Sequence, residues 1–487
     1  MSSSTLDSTT TRPTTADVTD LAGEFIALSR SIWDEPELRW EEHVSAGKQI
    51  AVAEKHGARI VRGIADIPTA FSAEWGSGGP VIAVLGEFDA LAGLSQENGA
   101  TERRPADGNT SGNGHGCGHN LLGSGSLLAA VALAQTLERE GVEATIRYYG
   151  CPAEEGAAGK SFMVAGGAFA DVDAAVSWHP GPGLGTAQQH SLAYTQAYFR
   201  FTGLAAHAGA NPQHGRSALD AAELMNVGVN FLREHMEDTD RVHYAFTDAG
   251  GASPNVVQSS SELYYLVRSA KTASMRTLYE RVCKIARGAA MMTETEVEIE
   301  FDGASAEILP STVLEQHLHA VVEEMGGVPY DGADIEYGRV LQTTVPQPAI
   351  AATKAMLGLP VDDDSPYFLG VPPKPDPLHR PQMTGSTDVG DVSWVVPTVQ
   401  IWGGTAVLGT PGHSWQMVAQ GKTPAAEKGM VYCAEAMAAV AYDLVTDADL
   451  LAKAKAEHEA TMAVTPYDCP IPEGIVAPPA RPGYTAR

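Results

Sequence analysis

The octet Asn113-Gly114-His115-Gly116-Cys117-Gly118-His119-Asn120 sets two histidines and a cysteine within five positions, alternating with glycine, just before a helix-forming stretch. Glycine lets the backbone turn so that alternate side chains converge, and thiolate and imidazole are favoured ligands of zinc-like ions. The spacing matches no zinc finger, and taken alone the octet could equally be a flexible turn. A second group, Cys151-Pro152-Ala153-Glu154-Glu155-Gly156, follows the apolar run Ala144–Tyr149. Neighbouring carboxylates can divide labour there, one holding a metal while the other takes a proton from water. In isolation they could as well be a solvated pair. Glu87, Phe88 and Asp89 follow the run Pro80–Gly86, and His179 follows Ala174–Trp178. From such a place Asp89 can accept the second N–H of a ligating imidazole. His413, in Gly409-Thr-Pro-Gly-His-Ser-Trp415, comes soon after the run Thr398–Trp402. Ligands of open α/β sheets gather beyond the carboxyl ends of strands. Together these positions supply Cys, His, Glu, His and His, enough for two metals sharing one bridging ligand.

The elements that must position these residues can be read from periodicity. Helices are expected over Val18–Trp33, broken by Pro36, over about Glu41–His56, ended by Gly57, and over Asn120–Glu140, with Asn120 as N-cap and Gly141 just past the end. The four short apolar runs read as buried parallel strands, and their alternation with helices argues for an α/β sheet covered on both faces. The middle of the chain changes rhythm. Leu192–Gly203 alternates like a half-exposed strand, Ser217–His235 reads as a helix, and Val242–Thr247 and Glu262–Arg268 as strands. Ala273–Met292 is again helical and Glu296–Asp302 a strand, a β-α-β-β-α-β order that makes a small sheet of its own. The expected division is a disordered Ser/Thr-rich leader over 1–17, a first catalytic part over 18–191, an inserted domain over 192–305 and a second catalytic part over 306–487. Gly358–Pro381, rich in Pro and Asp, is expected to be a long surface loop, and Thr465–Arg487 to be extended.

Composition narrows the function. The 487 residues carry 32 Lys+Arg against 60 Asp+Glu, a formal charge of −28, which disfavours nucleic acid and anionic lipid as partners. The 44% hydrophobic content is that of a folded globular protein. Five cysteines, an odd number scattered from Cys117 to Cys469, do not read as a secreted disulfide framework. Apolar runs such as Val81–Leu85 fall far short of the ~20 residues that span a bilayer, and the N-terminus has no apolar core of the signal-peptide kind. The expectation is a soluble cytoplasmic protein.

Asp89, His115-Gly-Cys117-Gly-His119-Asn120, Pro152-Ala-Glu154-Glu155-Gly156, His179-Pro180 and His413 stand in the order seen in the aminoacylase and glutamate-carboxypeptidase family of two-metal peptidases, which the chain resembles. The cysteine places it with the amidohydrolase branch, in which Cys replaces the usual bridging Asp. Three longer segments, Gly86–Ser95, Gly385–Trp394 and Pro466–Pro472, resemble the members that act on p-aminobenzoyl-glutamate. The match runs from Ile32 to Pro478; the Ser/Thr leader lies outside it and the loop near Asp362 matches poorly.

The resemblance implies a mixed-sheet catalytic domain with an inserted ferredoxin-like domain for dimerisation and lid closure. It implies that Cys117 bridges two divalent ions, manganese or zinc, that His119 and His179 complete one site, and that Glu155 and His413 complete the other. Glu154 would be the general base and Asp89 the orienter of a ligating histidine. The family pattern has His two residues before that Asp, where Glu87 stands here; His119 takes its place, as in the Cys branch. His207, on the small-residue loop Gly203–Pro212, would cross a dimer interface to stabilise the oxyanion. Asn255 and Arg268 would hold the substrate carboxylate and carbonyl. The expected activity is hydrolysis of the amide between an acyl or aroyl group and an amino acid, by a homodimer or a heteromer with a related subunit. A carbamoyl or ureido amino acid hydrolase and a non-catalytic metal-binding subunit are the alternatives.

Overall fold

A computed structural model describes residues 12–186, 190–381 and 385–478. The chain lays down β1 (Arg59–Arg62), β2 (Phe71–Gly76), β3 (Val81–Glu87), β4 (Thr145–Cys151), β5 (Ala174–Gly181) and β6 (Gly185–Thr186). It then leaves for a second sheet of β7 (Ala193–Thr202), β8 (Arg241–Asp248), β9 (Ser260–Ser269) and β10 (Glu296–Ser305), and returns for β11 (Thr398–Gly404). The larger sheet runs β1-β2-β4-β3-β5-β11-β6. Its centre, β4-β3-β5-β11, is parallel, and its outer pairs are antiparallel. The short apolar runs are therefore buried parallel strands, and they end on one edge of the sheet.

Side-chain alternation explains why both faces are covered. Ile82, Val84, Ile146, Tyr148 and Val176 join the core under helices Pro13–Asp34, His119–Glu140 and Pro424–Thr446. Their neighbours Ala83, Leu85, Tyr149 and Ala175 face the opposite core, which includes Phe162 and Val392 from helices Gly159–Ala165 and Val389–Val395. Helix His119–Glu140 approaches β3 closely because Gly123 faces it: a Cβ there would lie 2.6 Å from the Glu87 carbonyl oxygen. Among the described residues it is the one helix long and apolar enough to cross a membrane, yet 94% of its apolar window is buried within the fold.

Several expectations need correction. The first helix begins at Pro13 and not at Val18, because proline suits the first helical turn, Thr14 is buried and Arg12 pairs with Glu324 and Asp443. Residues 13–17 are thus helical, and 1–11 of the expected leader lie outside the described residues. Asn120 does not cap its helix. The cap is Gly118 at φ 75°, while the Asn120 amide donates to Ser29 Oγ and the Gly421 carbonyl, both at 3.0 Å. Strands β1 and β2 are not among the expected strands; β1 has only four residues and is largely exposed. The expected loop at 358–381 has neither helix nor strand.

The second sheet has the order β10-β7-β9-β8, every pair antiparallel. Helices Ala218–Leu232, capped by Ser217 Oγ, and Thr272–Thr293 cover one face. This is the ferredoxin-like β-α-β-β-α-β arrangement. Strand β7 is buried over most of its length and not half-exposed. One side meets the helices through Phe199 and Phe201, and on the other Tyr198 stacks on Tyr264 with ring centroids 4.2 Å apart.

Candidate dinuclear metal centre and active site

The turn before helix His119–Glu140 packs closely against Leu91 and Leu94. A Cβ at Gly114 would lie 2.3 Å from the Leu94 carbonyl oxygen, and one at Gly116 2.5 Å from Leu94 Cδ1. Cys117 and His119 are thereby brought to the edge where β3, β4 and β5 end. Cys117 Sγ lies 3.5 Å from His179 Nε2. The Nδ1–H of His179 donates to the Pro180 carbonyl at 2.8 Å, which leaves Nε2 with its lone pair directed at the site. His119 is fully buried and its Nδ1 meets Asp89 Oδ1 at 2.8 Å, so its Nε2 also faces the site. Asp89 has a second duty: its Oδ2 accepts the backbone N–H of Glu155 at 2.8 Å.

Glu154 and Glu155 begin a four-residue helical turn, Glu154–Ala157, flanked by Ala153 and Ala158 at φ 58° and 61°. Such left-handed conformations are strained for any residue but glycine. Ala153 is held by its N–H to Glu42 Oε1 at 2.8 Å. Glu155 Oε2 is 3.1 Å from His413 Nε2, and His413 itself has φ 55°. Ligand atoms of Cys117, His119 and His179 all lie within 4.8 Å of one another, as do those of Cys117, Glu155 and His413, and those of Glu87, His119 and Glu154. Cys117 and His119 each belong to two of these groups, and Cys117 joins the one that holds His179 to the one that holds Glu155 and His413.

The donor set fits a pair of divalent ions. Glu155 Oε1 is buried without a hydrogen-bond partner, a costly state unless something else satisfies it. Burial and Glu155 push the Cys117 thiol up, but His179 and His119 outweigh them and bring it down to about 6, which favours the thiolate, the form able to bind a metal, at neutral pH. Burial and the carboxylates of Glu87, Asp388 and Glu155 hold Glu154 well above the usual carboxylate range. That is the setting of a base poised to exchange protons.

Glu87 is more than a departure from a pattern. Its Oε2 is 3.2 Å from His119 Nε2, and its Oε1 is 2.6 Å from Lys160 Nζ. Lys160 is fully buried and also pairs with Asp388 Oδ1 at 2.5 Å. No sequence signal marks Lys160, and Asp388 lies in the segment Gly385–Trp394 with no role that its neighbours in the chain could reveal.

A cavity of about 380 Å³ opens over these groups, lined by Cys117, Glu154, Glu155, His179, His413 and Arg268. Arg268 reaches it from the end of β9, donating from Nη1 to Ser386 Oγ at 3.1 Å, with Nε buried and unpartnered. Trp402 lines the cavity too, its ring 5.5 Å from that of His179. His207 and Asn255 are not brought there. Both are exposed, and they lie together past the other end of the small sheet, where the Ala208 N–H donates to the Asn255 carbonyl. From Arg268 to Ser260, where β9 begins, is eight residues, or about 26 Å at ~3.3 Å each.

Residues 83–443 match the peptidase family M20/M25/M40. The chain is 42% identical over 465 residues to a subunit of the p-aminobenzoyl-glutamate hydrolase of Escherichia coli K12, covering 94% of this chain and 96% of that protein. The chain belongs to the M20/M25/M40 peptidase family. It is a metal-dependent hydrolase of amide bonds, and the groups around Cys117 are ones that could hold a metal ion. The fold agrees with that of an aminobenzoyl-glutamate utilization protein from Klebsiella pneumoniae, at TM-score 0.59 and 20% identity over 88% of this chain and 98% of that one. It agrees also with a dinuclear metal-binding M20 peptidase from Bacillus subtilis, at TM-score 0.52 and 18% identity over 88% and 99%. The fold class expected from the sequence is that of these structures.

Proposed function

We propose that this M20 enzyme hydrolyses N-acyl or N-aroyl amino acids that carry a free α-carboxylate, with p-aminobenzoyl-glutamate as the leading substrate. The observation that carries the reading is Arg268, a guanidinium with no acidic partner among the described residues, lining the cavity of Cys117 and Glu154. Its planar fork suits a carboxylate, which it can pair two-pronged. The net charge of −28 gives an anionic substrate no long-range attraction, so local donors must hold it. The identity to the Escherichia coli hydrolase subunit along nearly its whole length supports an aroyl-glutamate.

Cys117 would bridge two divalent ions, manganese or zinc, with His119 and His179 on one and Glu155 and His413 on the other. Such ions supply Lewis acidity to the scissile carbonyl and to the attacking water. Asp89 keeps the Nε2 of His119 turned to the site. Glu154 takes a proton from the attacking water and returns it to the leaving nitrogen. His207 and Asn255, remote from the cavity of their own chain, would serve that of a second copy. His207 Nδ1 already accepts from the Gly209 and Ala210 N–H groups, so its Nε2–H is the donor for the oxyanion, a contact often worth about 3 kcal/mol. Asn255 would join Arg268 on the substrate. An apolar stripe on helix Ala218–Leu232, with Leu224 37%, Val227 49% and Phe231 73% exposed, supports a partner on this domain, either a second copy or a related subunit.

The test compares p-aminobenzoyl-glutamate with its α-amide. The amide strands Arg268, so kcat/KM should fall by roughly one to three powers of ten; equal turnover overturns the reading. Glu154→Gln should keep its metals and lose most turnover. Mixing it with His207→Ala should restore part of the activity if sites are completed between chains.

A further inference from the structure

Asp302 occupies an irregular place in β10. Pairing to β7 runs Phe301 with Ala197 and then Gly303 with Gln196, so Asp302 is the extra residue of a β-bulge. Bulges next to active sites re-aim a side chain. This one turns a buried carboxylate toward the larger domain, where Asp302 Oδ2 accepts from Arg39 Nη1 at 2.7 Å, Gln196 Nε2 at 2.9 Å and Tyr264 OH at 2.6 Å.

A purely structural ion pair would stop there. Instead Arg39 Nη1 and Gln196 Nε2 each donate a further hydrogen bond to the backbone carbonyl of Gly156, the residue after Glu154 and Glu155. The β10 backbone presses on the same turn, since a Cβ at Gly303 would lie 2.5 Å from the Ala157 carbonyl oxygen. The turn has little stability of its own. It is four residues long, no side chain caps it, and left-handed alanines close both ends. Conformations of that kind persist only where the surroundings over-determine them. Glu42 and Asp89 hold its N–H groups from the larger domain. The carbonyl side is held by Arg39 from the larger domain and Gln196 from the smaller, both organised by one carboxylate.

We infer that Asp302 is a positioning residue, acting through Arg39 and Gln196 on the Gly156 carbonyl, that sets the placement of Glu154 and ties it to the position of the inserted domain. The inference rests on Glu154 being the base. Asp302 does not line the cavity, and its effect is on alignment.

The test uses the full-length, metal-loaded enzyme with p-aminobenzoyl-glutamate. Asp302→Asn keeps shape but weakens all three acceptor bonds. It should lower kcat by about 10- to 100-fold, the range expected for misplacing a reacting group by an ångström or less, with KM within about threefold and metal content unchanged. Adding Arg39→Met to Asp302→Asn should lower kcat little further, because both act on one carbonyl. Hydrogen exchange at the amides of residues 154–158 should quicken in Asp302→Asn, a readout that holds whether or not Glu154 proves to be the base. Should Asp302→Asn fail to fold, Tyr264→Phe removes one of the three donors and should produce the same exchange change to a lesser degree. Wild-type kcat with unchanged exchange in these variants overturns the inference, as does a loss of kcat that only tracks loss of metal.

Discussion

Replacing Lys160 by methionine tests the charge arithmetic beneath the active site. The ammonium is fully buried, 2.6 Å from Glu87 Oε1 and 2.5 Å from Asp388 Oδ1. Burial lowers its affinity for a proton, but Asp388 and Glu87 outweigh burial and raise it well above the ordinary lysine value. A group raised in this way contributes fully below the unfolded pKa of ~10.4 and loses the contribution only at still higher pH, so it is constant over the working range. Lys160→Met leaves two carboxylates buried side by side. Removing one partner of a buried pair costs about 3–5 kcal/mol, a large share of a typical 5–15 kcal/mol stability. The protein can escape part of this by protonating Asp388, which burial, against the pull of Lys160, already pushes up to about 6. Without the ammonium Asp388 titrates further above its unfolded value, the native state then binds more protons, and stability must fall as pH rises. The variant should therefore regain stability relative to the parent as the pH is lowered from about 8 to about 5.5. Urea unfolding of chelator-treated protein, followed by tryptophan fluorescence, measures the change without the added stabilisation of bound metal. The triple variant Lys160→Met, Glu87→Gln, Asp388→Asn removes all three charges and should recover most of the loss. If Lys160→Met stays within about 1 kcal/mol of the parent, or the triple variant is as unstable as the single, the reasoning fails.

Other outcomes follow from the same geometry. In metal-free protein at neutral pH, Cys117 should be the one fast-reacting thiol of five, since burial raises Cys151, Cys283, Cys433 and Cys469 while Cys117 is brought down to about 6. Zinc or manganese should slow its alkylation, and labelling that is indifferent to metal would contradict ligation by Cys117. Asp89→Asn should weaken metal binding about 10- to 100-fold by loosening His119, a change that calorimetric titration would detect. Far from the site, burial raises the Asp443 carboxyl, but hydrogen bonds from His317 and Arg12 outweigh it and hold it low. A depressed carboxyl stabilises above its unfolded pKa and loses that as pH falls through the folded value. Asp443→Asn should accordingly flatten the acid side of the thermal-stability curve below about pH 4, and an unchanged curve would remove Asp443 from the acid response.

The residue types that can ligate and transfer protons, and the strand ends that carry them, are legible in the chain alone. Gly114 and Gly116 are legible in this way because each lies beside the residue it serves, and buried parallel strands announce themselves through a few consecutive apolar residues. The β-α-β-β-α-β order is legible for the same reason, periodicity being a short-range property. Long-range packing settles the rest: that Lys160 bridges Glu87 and Asp388, that the bulged Asp302 reaches Arg39 across 263 positions, and that Arg268 shares a cavity with Cys117 while His207 stands at the far end of its sheet. The start of the first helix belongs with these, because Arg12 is anchored by Glu324 and Asp443. Ion pairs and cavities join residues that are remote in the chain, and their charge and burial depend on neighbours that local patterning cannot encode.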